Sequence, residues 1–501
     1  MSTPVQLATP VETPWRRLDP RMLVIGPING LVQVLPVAAV LLVTGQGDVT
    51  RLWITGVIAG LVVVGKMLTW QTTRYRITPE RVELHSGWLN RQRRSVPRDR
   101  IRTVDLTARL LHRVFGLSVV QVSAGAGTGS EHSGLSLDAV SKAEAERLRR
   151  ELLERAAVAA PDPGTGAVGP PVQELARLHW SWLRLAPLTF SSLAGMAAIG
   201  GTAFNLIDEL GVDPRDIGPV DEATDRLVSA PIWVGILIIA GLLLLVSVVG
   251  ALVLFAERWF GYRLTREPGA DGASTLRVKR GLLTRRSLSV AEDRLRGAEI
   301  VEPLLLRVGR GAQCRALSTG LTKDAQGGAL QPPVPRQEAH RVASAALRAD
   351  PAEITRARLR PHPRQALLRR LTRALVPTAA VLAIAFWLGW LVPELDWLGP
   401  TSLVLVPLAL LVALDRYRNL GHQLTAEHLV SRQGSLVRRT VALQKHGVIG
   451  WTIRQSVFQR RAGLVTLEAV TAAGQGGYQV LDLAAGDAAA LADATTPQLL
   501  P

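Results

Sequence analysis

Residues Arg74 to Val122 read RYRITPERVELHSGWLNRQRRSVPRDRIRTVDLTARLLHRVFGLSVVQV, and the same unit returns twice further along the chain. Tyr75-Arg76-Ile77-Thr78 is answered by Tyr262-Arg263-Leu264-Thr265 and, more loosely, by His422-Gln423-Leu424-Thr425. Each copy then reaches a glycine, Gly87, Gly281 or Gly434, followed four residues later by Arg91, Arg285 or Arg438. In the middle copy the approach to the glycine is lengthened around Glu267-Pro268-Gly269-Ala270-Asp271-Gly272, a composition that predicts an enlarged hairpin turn. Leu110-Leu111-His112-Arg113, Leu304-Leu305-Leu306-Arg307 and Val457-Phe458-Gln459-Arg460 also fall in step. Matches held at one offset over so long a stretch mark an internal repeat, and the chain divides accordingly.

Within the first copy, Arg74 to Thr78, Arg81 to Ser86, Arg91 to Val96, Ile101 to Thr107, Leu117 to Ser123 and Gly134 to Leu137 read as strands broken by Pro and Gly, with a short helical turn at Leu110 to Phe115. Ser141-Lys142-Ala143-Glu144 is a capping box. The helix it opens places Ala145, Leu148, Leu152 and Ala156 on one face, with Glu144 and Arg147, or Glu146 and Arg150, paired along the other. Copies two and three end in helices expected at Arg336 to Leu347 and Asp487 to Ala494. Each copy is thus expected to be a partly open barrel of antiparallel strands closed by a C-terminal helix.

Nearly half of the 501 residues are hydrophobic, yet the formal net charge is +17. The apolar residues are gathered into runs long enough to cross a bilayer: Met22 to Thr44 and Leu52 to Trp70, Leu185 to Ile207 and Ala230 to Ala256, Leu375 to Val392 and Thr401 to Leu414. Two runs precede each copy, which predicts six transmembrane helices in three pairs. The turn between 208 and 226 is dominated by Asp and Glu, and the third hairpin turn carries Glu394 and Asp396. The other ends carry Arg16, Arg17, Arg21, Arg74, Arg76, Arg177, Arg184, Arg364, Arg369, Arg370, Arg373, Arg416 and Arg418, so both termini and the three modules are expected on the cytoplasmic side. No secretory signal peptide is read at the N-terminus.

The boundaries that follow are a cytoplasmic segment over 1–21, a first hairpin over 22–70, a first module over 71–156 and a linker with an interfacial segment over 157–184. A second hairpin over 185–256, a second module over 257–350, a linker over 351–374, a third hairpin over 375–415 and a third module over 416–501 complete the chain. His179-Trp180-Ser181-Trp182-Leu183-Arg184 is expected to sit at headgroup level.

Paired membrane helices followed by a module beginning Tyr-Arg-Ile/Leu-Thr and then Gly-x-Leu-x-Arg resemble the bacterial pleckstrin-homology-like membrane proteins, the type with three such domains in one chain. The resemblance extends from Trp15 to the end. It implies a bent seven-stranded sheet capped by a helix in each module, no catalytic residues to carry over, and a role in the cell envelope or in tolerance of membrane-active peptides. Copy three departs most, with His422-Gln423 in place of Tyr-Arg.

The residues themselves point away from catalysis. The run Ser123 to Ser130 is rich in Gly but lacks the Lys-Ser/Thr ending of a phosphate loop and opens no helix. The nine histidines lack ligand spacing and no nucleophile elbow is present. Cys314, the one cysteine, reads as a buried structural residue and excludes an intrachain disulfide. No cofactor and no metal are expected. The best candidates for contact are basic: Arg91, Arg93, Arg94, Arg98, Arg100 and Arg102 in module one, Arg285, Arg286, Arg294 and Arg296 in module two, and Arg438, Arg439 and Lys445 in module three. Bases close to an anionic leaflet each contribute on the order of 1 kcal/mol. Without interleaved aromatics they do not suit nucleic acid. The reading is a non-enzymatic scaffold of the plasma membrane that meets anionic lipid headgroups and unidentified proteins, its oligomeric state open. The competing expectation is a transporter or exporter component.

Overall fold

The computed structural model describes residues 14–30, 49–78, 80–87, 91–98, 101–124, 134–153, 172–189, 231–268, 274–319 and 328–497. In module one the strands are β1 (Arg16–Arg17), β2 (Arg74–Ile77), β3 (Arg81–Ser86), β4 (Gln92–Pro97), β5 (Ile101–Ala108), β6 (Leu117–Ala124) and β7 (Gly134–Ser141). The second stretch holds β8 (Gln173–Arg177), β9 (Arg263–Pro268), β10 (Ser274–Arg280), β11 (Arg285–Ala291), β12 (Leu295–Pro303), β13 (Gly311–Ser318) and β14 (Val334–Pro335). The third holds β15 (Gly421–Leu424), β16 (His428–Gln433), β17 (Val437–Gln444), β18 (Gly450–Arg454), β19 (Leu464–Val470) and β20 (Gly477–Ala484). Strands β2 to β7 fall within a few residues of those read from the sequence, whereas β1, β8 and β14 are not among them, β8 lying in the stretch read as linker.

Two compact units result, and they do not follow the repeat. One joins module one to β10 and β11; the other joins β12 to β14 with module three, together with residues 173–192 and 262–266. In the first unit a sheet of order β1-β2-β3-β4 faces one in which β7, β6, β5, β11 and β10 are neighbours. Alternate residues of these strands, among them Val82, Leu84, Val104, Val120, Val122 and Leu137, form one core, as the two-residue period of a half-buried strand requires. The Lys142–Leu153 helix closes it with Ala145, Leu148 and Leu152. Ser141 Oγ accepts from Glu144 N at 3.3 Å, the first half of the expected cap. Ala156 lies outside the described residues.

The second unit has β8 paired with β9, a sheet of order β14-β13-β12-β17-β16-β15, and a separate β18-β19-β20 sheet. The core of its C-terminal half gathers Leu429, Leu443, Val465, Leu467 and Val480 under the Ala485–Thr495 helix. Gly87, Gly281 and Gly434 have φ of 103°, 109° and 101°. A Cβ at Gly281 or Gly434 would strike the carbonyl of Thr284 or Val437, so the turn that anchors the repeat accepts only glycine.

Three helices among the described residues are long and apolar enough to cross a membrane: Ala240–Trp259, Arg364–Leu391 and Pro393–Arg418. Among the described residues the expected count of six is not reached. The run from Leu52 to Trp70 is helical within Val49–Thr72, but its apolar stretch, Gly56–Thr72, is shorter. Much of Met22 to Thr44 and nearly all of Leu185 to Ile207 lie outside the described residues, as does the acidic turn. The headgroup reading is corrected for Trp182, which is buried against Tyr262 with ring centroids 6.5 Å apart, while Trp180 is exposed. An aromatic side chain held in a core cannot serve as a headgroup anchor.

Candidate functional site

Part of the expected basic surface, Arg438 and Arg439, is taken up in a joint between repeats. In the first unit β11 adds to β5, pairing Arg285 with Ala108 and Val290 with Thr103. In the second β17 adds to β12, pairing Arg438 with Glu302 and Leu443 with Gly297. Arg438 holds buried Glu302 in a fork, both bonds 2.7 Å, and Arg439 reaches Glu299 at 3.1 Å. In the first unit the acid that corresponds to Glu299, Asp105, is half-buried with its Oδ1 shut off from solvent; desolvation raises its pKa, with Arg286 and Arg280 opposing. Glu146 pairs with Arg149 and Arg277, rather than with Arg150, and Arg149 and Arg277 also share Glu267. This network ties the closing helix of module one to the strands from module two.

The remaining expected residues are scattered. Arg91 and Arg93 are exposed and Arg94 is half-buried against Gln92. Arg98 donates to the Glu151 carbonyl. Arg100 lies outside the described residues, and Arg102 is placed only as part of β5. Arg285 and Arg286 are exposed on β11. Arg294 pairs with Asp293 at 3.2 Å. Arg296 packs where a Cβ at Gly447 would stand, and Lys445 is half-buried in a short 3-10 turn. Arg285 and Arg286 belong to the first unit with the module-one arginines, and Arg294, Arg296 and Lys445 belong to the second.

A different set converges. A cavity of about 1010 Å³ in the second unit is lined by Arg184, Arg310, Arg336, Arg356 and Arg432 together with His340, Thr355, Leu185 and Leu188. Among the described residues no Asp or Glu lines it. Arg336 is braced from behind by Glu302 at 3.2 Å and donates to His340 Nε2 at 3.3 Å. Burial, then the charge of Arg336, lowers the pKa of His340 to about 4, so its ring is neutral. With Nε2 accepting, Nδ1 carries the proton. His340 Nδ1, Thr355 Oγ1 and Arg432 Nε are buried with no hydrogen-bond partner, a costly state inside a protein. Burial and the neighbouring Arg438 and Arg336 also lower the pKa of Arg432. Excess donors, excess positive charge and unsatisfied polar atoms are chemically matched to an oxyanion.

Arg310 carries a signal that was legible in the repeat. It occupies the left-handed region at φ 55°, and its counterparts Gly116 and Gly463 have φ of 72° and 65°. An arginine kept where glycine is the conformational choice is strained, and such strain collects at functional sites. Leu185 and Leu188 form the apolar wall at the start of the third hydrophobic run. A Cβ added to Gly309 would collide with Leu188.

Each copy also shows apolar side chains on the short helix beside this turn. Leu110 and Val114, Leu305 and Val308, and Val457 and Phe458 are all exposed. In module one Arg21 donates to the Phe115 carbonyl at 3.0 Å, fixing the turn to the foot of the helix beginning at residue 22.

Among the described residues no group of three His, Cys, Asp or Glu side chains is placed to hold a metal ion. Cys314 is fully buried, its thiol pushed up to about 12 by desolvation and then by Glu299. The competing expectation of a transporter component gains no support from this geometry.

UPF0699 transmembrane protein YdbT of Bacillus subtilis (strain 168) is 22% identical over 432 residues, which cover 82% of either chain. No solved structure matches. The Bacterial PH domain family matches residues 30–156 and 374–497, the first and third repeats with part of the hydrophobic runs before them. Those two segments make up half of the sequence, and the chain belongs to the bacterial PH domain family.

Proposed function

We propose that this chain is a non-enzymatic membrane scaffold, with three PH-like modules each preceded by a pair of spanning helices and held on the cytoplasmic leaflet. The arginine cavity binds a phosphate-bearing anionic headgroup. The observation that carries this reading is the lining itself: five arginines and no acid, beside two leucines at the foot of a hydrophobic run. Guanidinium forks match phosphate oxygens, and an apolar wall suits the glycerol and first methylenes of a lipid. The middle repeat, outside the matched segments, joins the other two on the strength of its strand order and its glycine turn. The exposed side chains of the short helices rest at the level of the acyl-chain boundary. Service to the cell envelope, through proteins recruited to the modules, follows from such a position.

The test uses the full chain in nanodiscs of phosphatidylcholine with or without phosphatidylglycerol, and in phosphatidylcholine with added inorganic phosphate. The expected result is a higher melting temperature with the anionic lipid, an increment lost in Arg432→Gln and in Arg310→Gly. An increment equal in wild type and both variants rejects the cavity as the site. A response to inorganic phosphate but not to lipid assigns the cavity to a soluble anion.

A further inference from the structure

The two joints between repeats share one register. Arg285 and Arg438 both stand four residues after the anchoring glycine. Their partners, Ala108 and Glu302, both stand two residues before the short helices Leu110–Val114 and Leu304–Val308. The same operation is therefore carried out twice: the third strand of one repeat adds to the strand that precedes the short helix of the repeat before it. One strand of each kind is left over. β4 is the outer strand of the β1-β2-β3-β4 sheet, and β18 is the outer strand of the β18-β19-β20 sheet.

We infer that β18 of one copy of this chain pairs with β4 of a second copy, antiparallel, in the register already used twice. Arg91 then faces Gln455, Gln92 faces Arg454, Arg93 faces Ile453 and Arg94 faces Thr452. Three observations support that occupant over an unrelated strand. The first is burial: Ile453 occupies the position of Leu106 and Ile300, which are 8% and 0% exposed within the made joints, yet it is 53% exposed on its open edge. The second is charge. Thr452 lies opposite Glu468 on β19, so the register sets Arg94, Thr452 and Glu468 in one row on one face, base and acid flanking the threonine. No two bases stand directly opposite, although both edges are basic. The third is the backbone, since each outer strand offers a line of amide and carbonyl groups that a ladder satisfies.

The contact uses different surfaces on the two copies, so it continues from copy to copy until it closes on itself or ends as a file in the membrane plane. Basic side chains on both edges oppose unspecific pairing, and the shared register adds Arg94 to the row of Glu468, which Arg454 already meets at 3.3 Å.

The experiment uses full-length chains carrying two different affinity tags, one with Gln92→Cys and the other with Arg454→Cys, co-reconstituted in vesicles and oxidised. Cys314 stays in place, because it is buried. The expected product joins the two tags at the mass of two chains, and it is lost when Gly450→Cys replaces Arg454→Cys, moving the thiol four residues out of register. No product joining the tags overturns the inference, as does equal yield at the shifted position. A link at the mass of a single chain when both cysteines are placed in one chain also overturns it, by assigning the joint to closure within the molecule. As a second readout, Ile453→Arg on this exposed position is expected to reduce the assembled species to single chains in native mass measurements. An unchanged mass for that variant contradicts the pairing.

Discussion

At the scale of single residues, Arg310 and Asp482 illustrate two uses of an uncommon backbone conformation. Replacing Arg310 by glycine relieves a left-handed residue, and about 1–2 kcal/mol of stability should be gained, measured by denaturant unfolding, while anionic lipid is held less well. A variant that is stabilised and still binds lipid fully removes Arg310 from the site. Asp482, at φ 56°, is fully buried; it accepts from Arg370 at 2.7 Å and Gln459 at 3.0 Å, and also pairs with Arg369. Asp482→Ala leaves Arg370 buried without its counter-charge and should cost about 3–5 kcal/mol. The histidines add a pH dependence. Desolvation holds His340 and His422 at about 4, below the ordinary 6.5. The unfolded chain therefore binds protons first, and stability is full above about pH 6.5 and falls as pH drops toward 4. Each unit of depression is worth about 1.4 kcal/mol. His340→Gln combined with His422→Gln should flatten the melting temperature across that window.

At the scale of elements, the short helix recurs with the same polarity. Its inner side is buried through His112, Leu306 or Gln459, and its outer side shows two apolar residues. The proposed position at the membrane surface gives these side chains an apolar neighbour. A fluorophore attached at Val308→Cys, 77% exposed in the native chain, should be quenched by lipids brominated along the acyl chain. An unquenched label places this face in water.

At the scale of the whole molecule, the repeat boundary is not the folding boundary. β11 leaves its own repeat to complete the sheet of module one, and β17 does the same for module two. Glu302, buried between Arg438 and Arg336, is a keystone of the second joint. Its replacement by alanine strands Arg438 in a site where that side chain is 12% exposed, and should destabilise the second unit by about 3–5 kcal/mol. Calorimetry that shows no loss would mean that the sheet pairing alone holds the joint.

The sequence by itself determined the repeat, the strand and helix order, the glycine turn and the buried cysteine, because each rests on local periodicity or on a conformational need of one residue. It also showed Arg310 standing where two copies have glycine, a sign left unread. Only the tertiary structure decided which arginines are available. Arg438 and Arg439 look like a basic surface on a strand, yet they are consumed by Glu302 and Glu299 from another repeat. Arg184, Arg336, Arg356 and Arg432 are spread over some 250 residues and become neighbours only when the Trp180–Leu185 turn, β16, the linker before the third hairpin and the closing helix of module two pack together. Alternation along a strand is a local property, while pairing across strands depends on which edge arrives beside it, and that is settled by the packing of the whole chain.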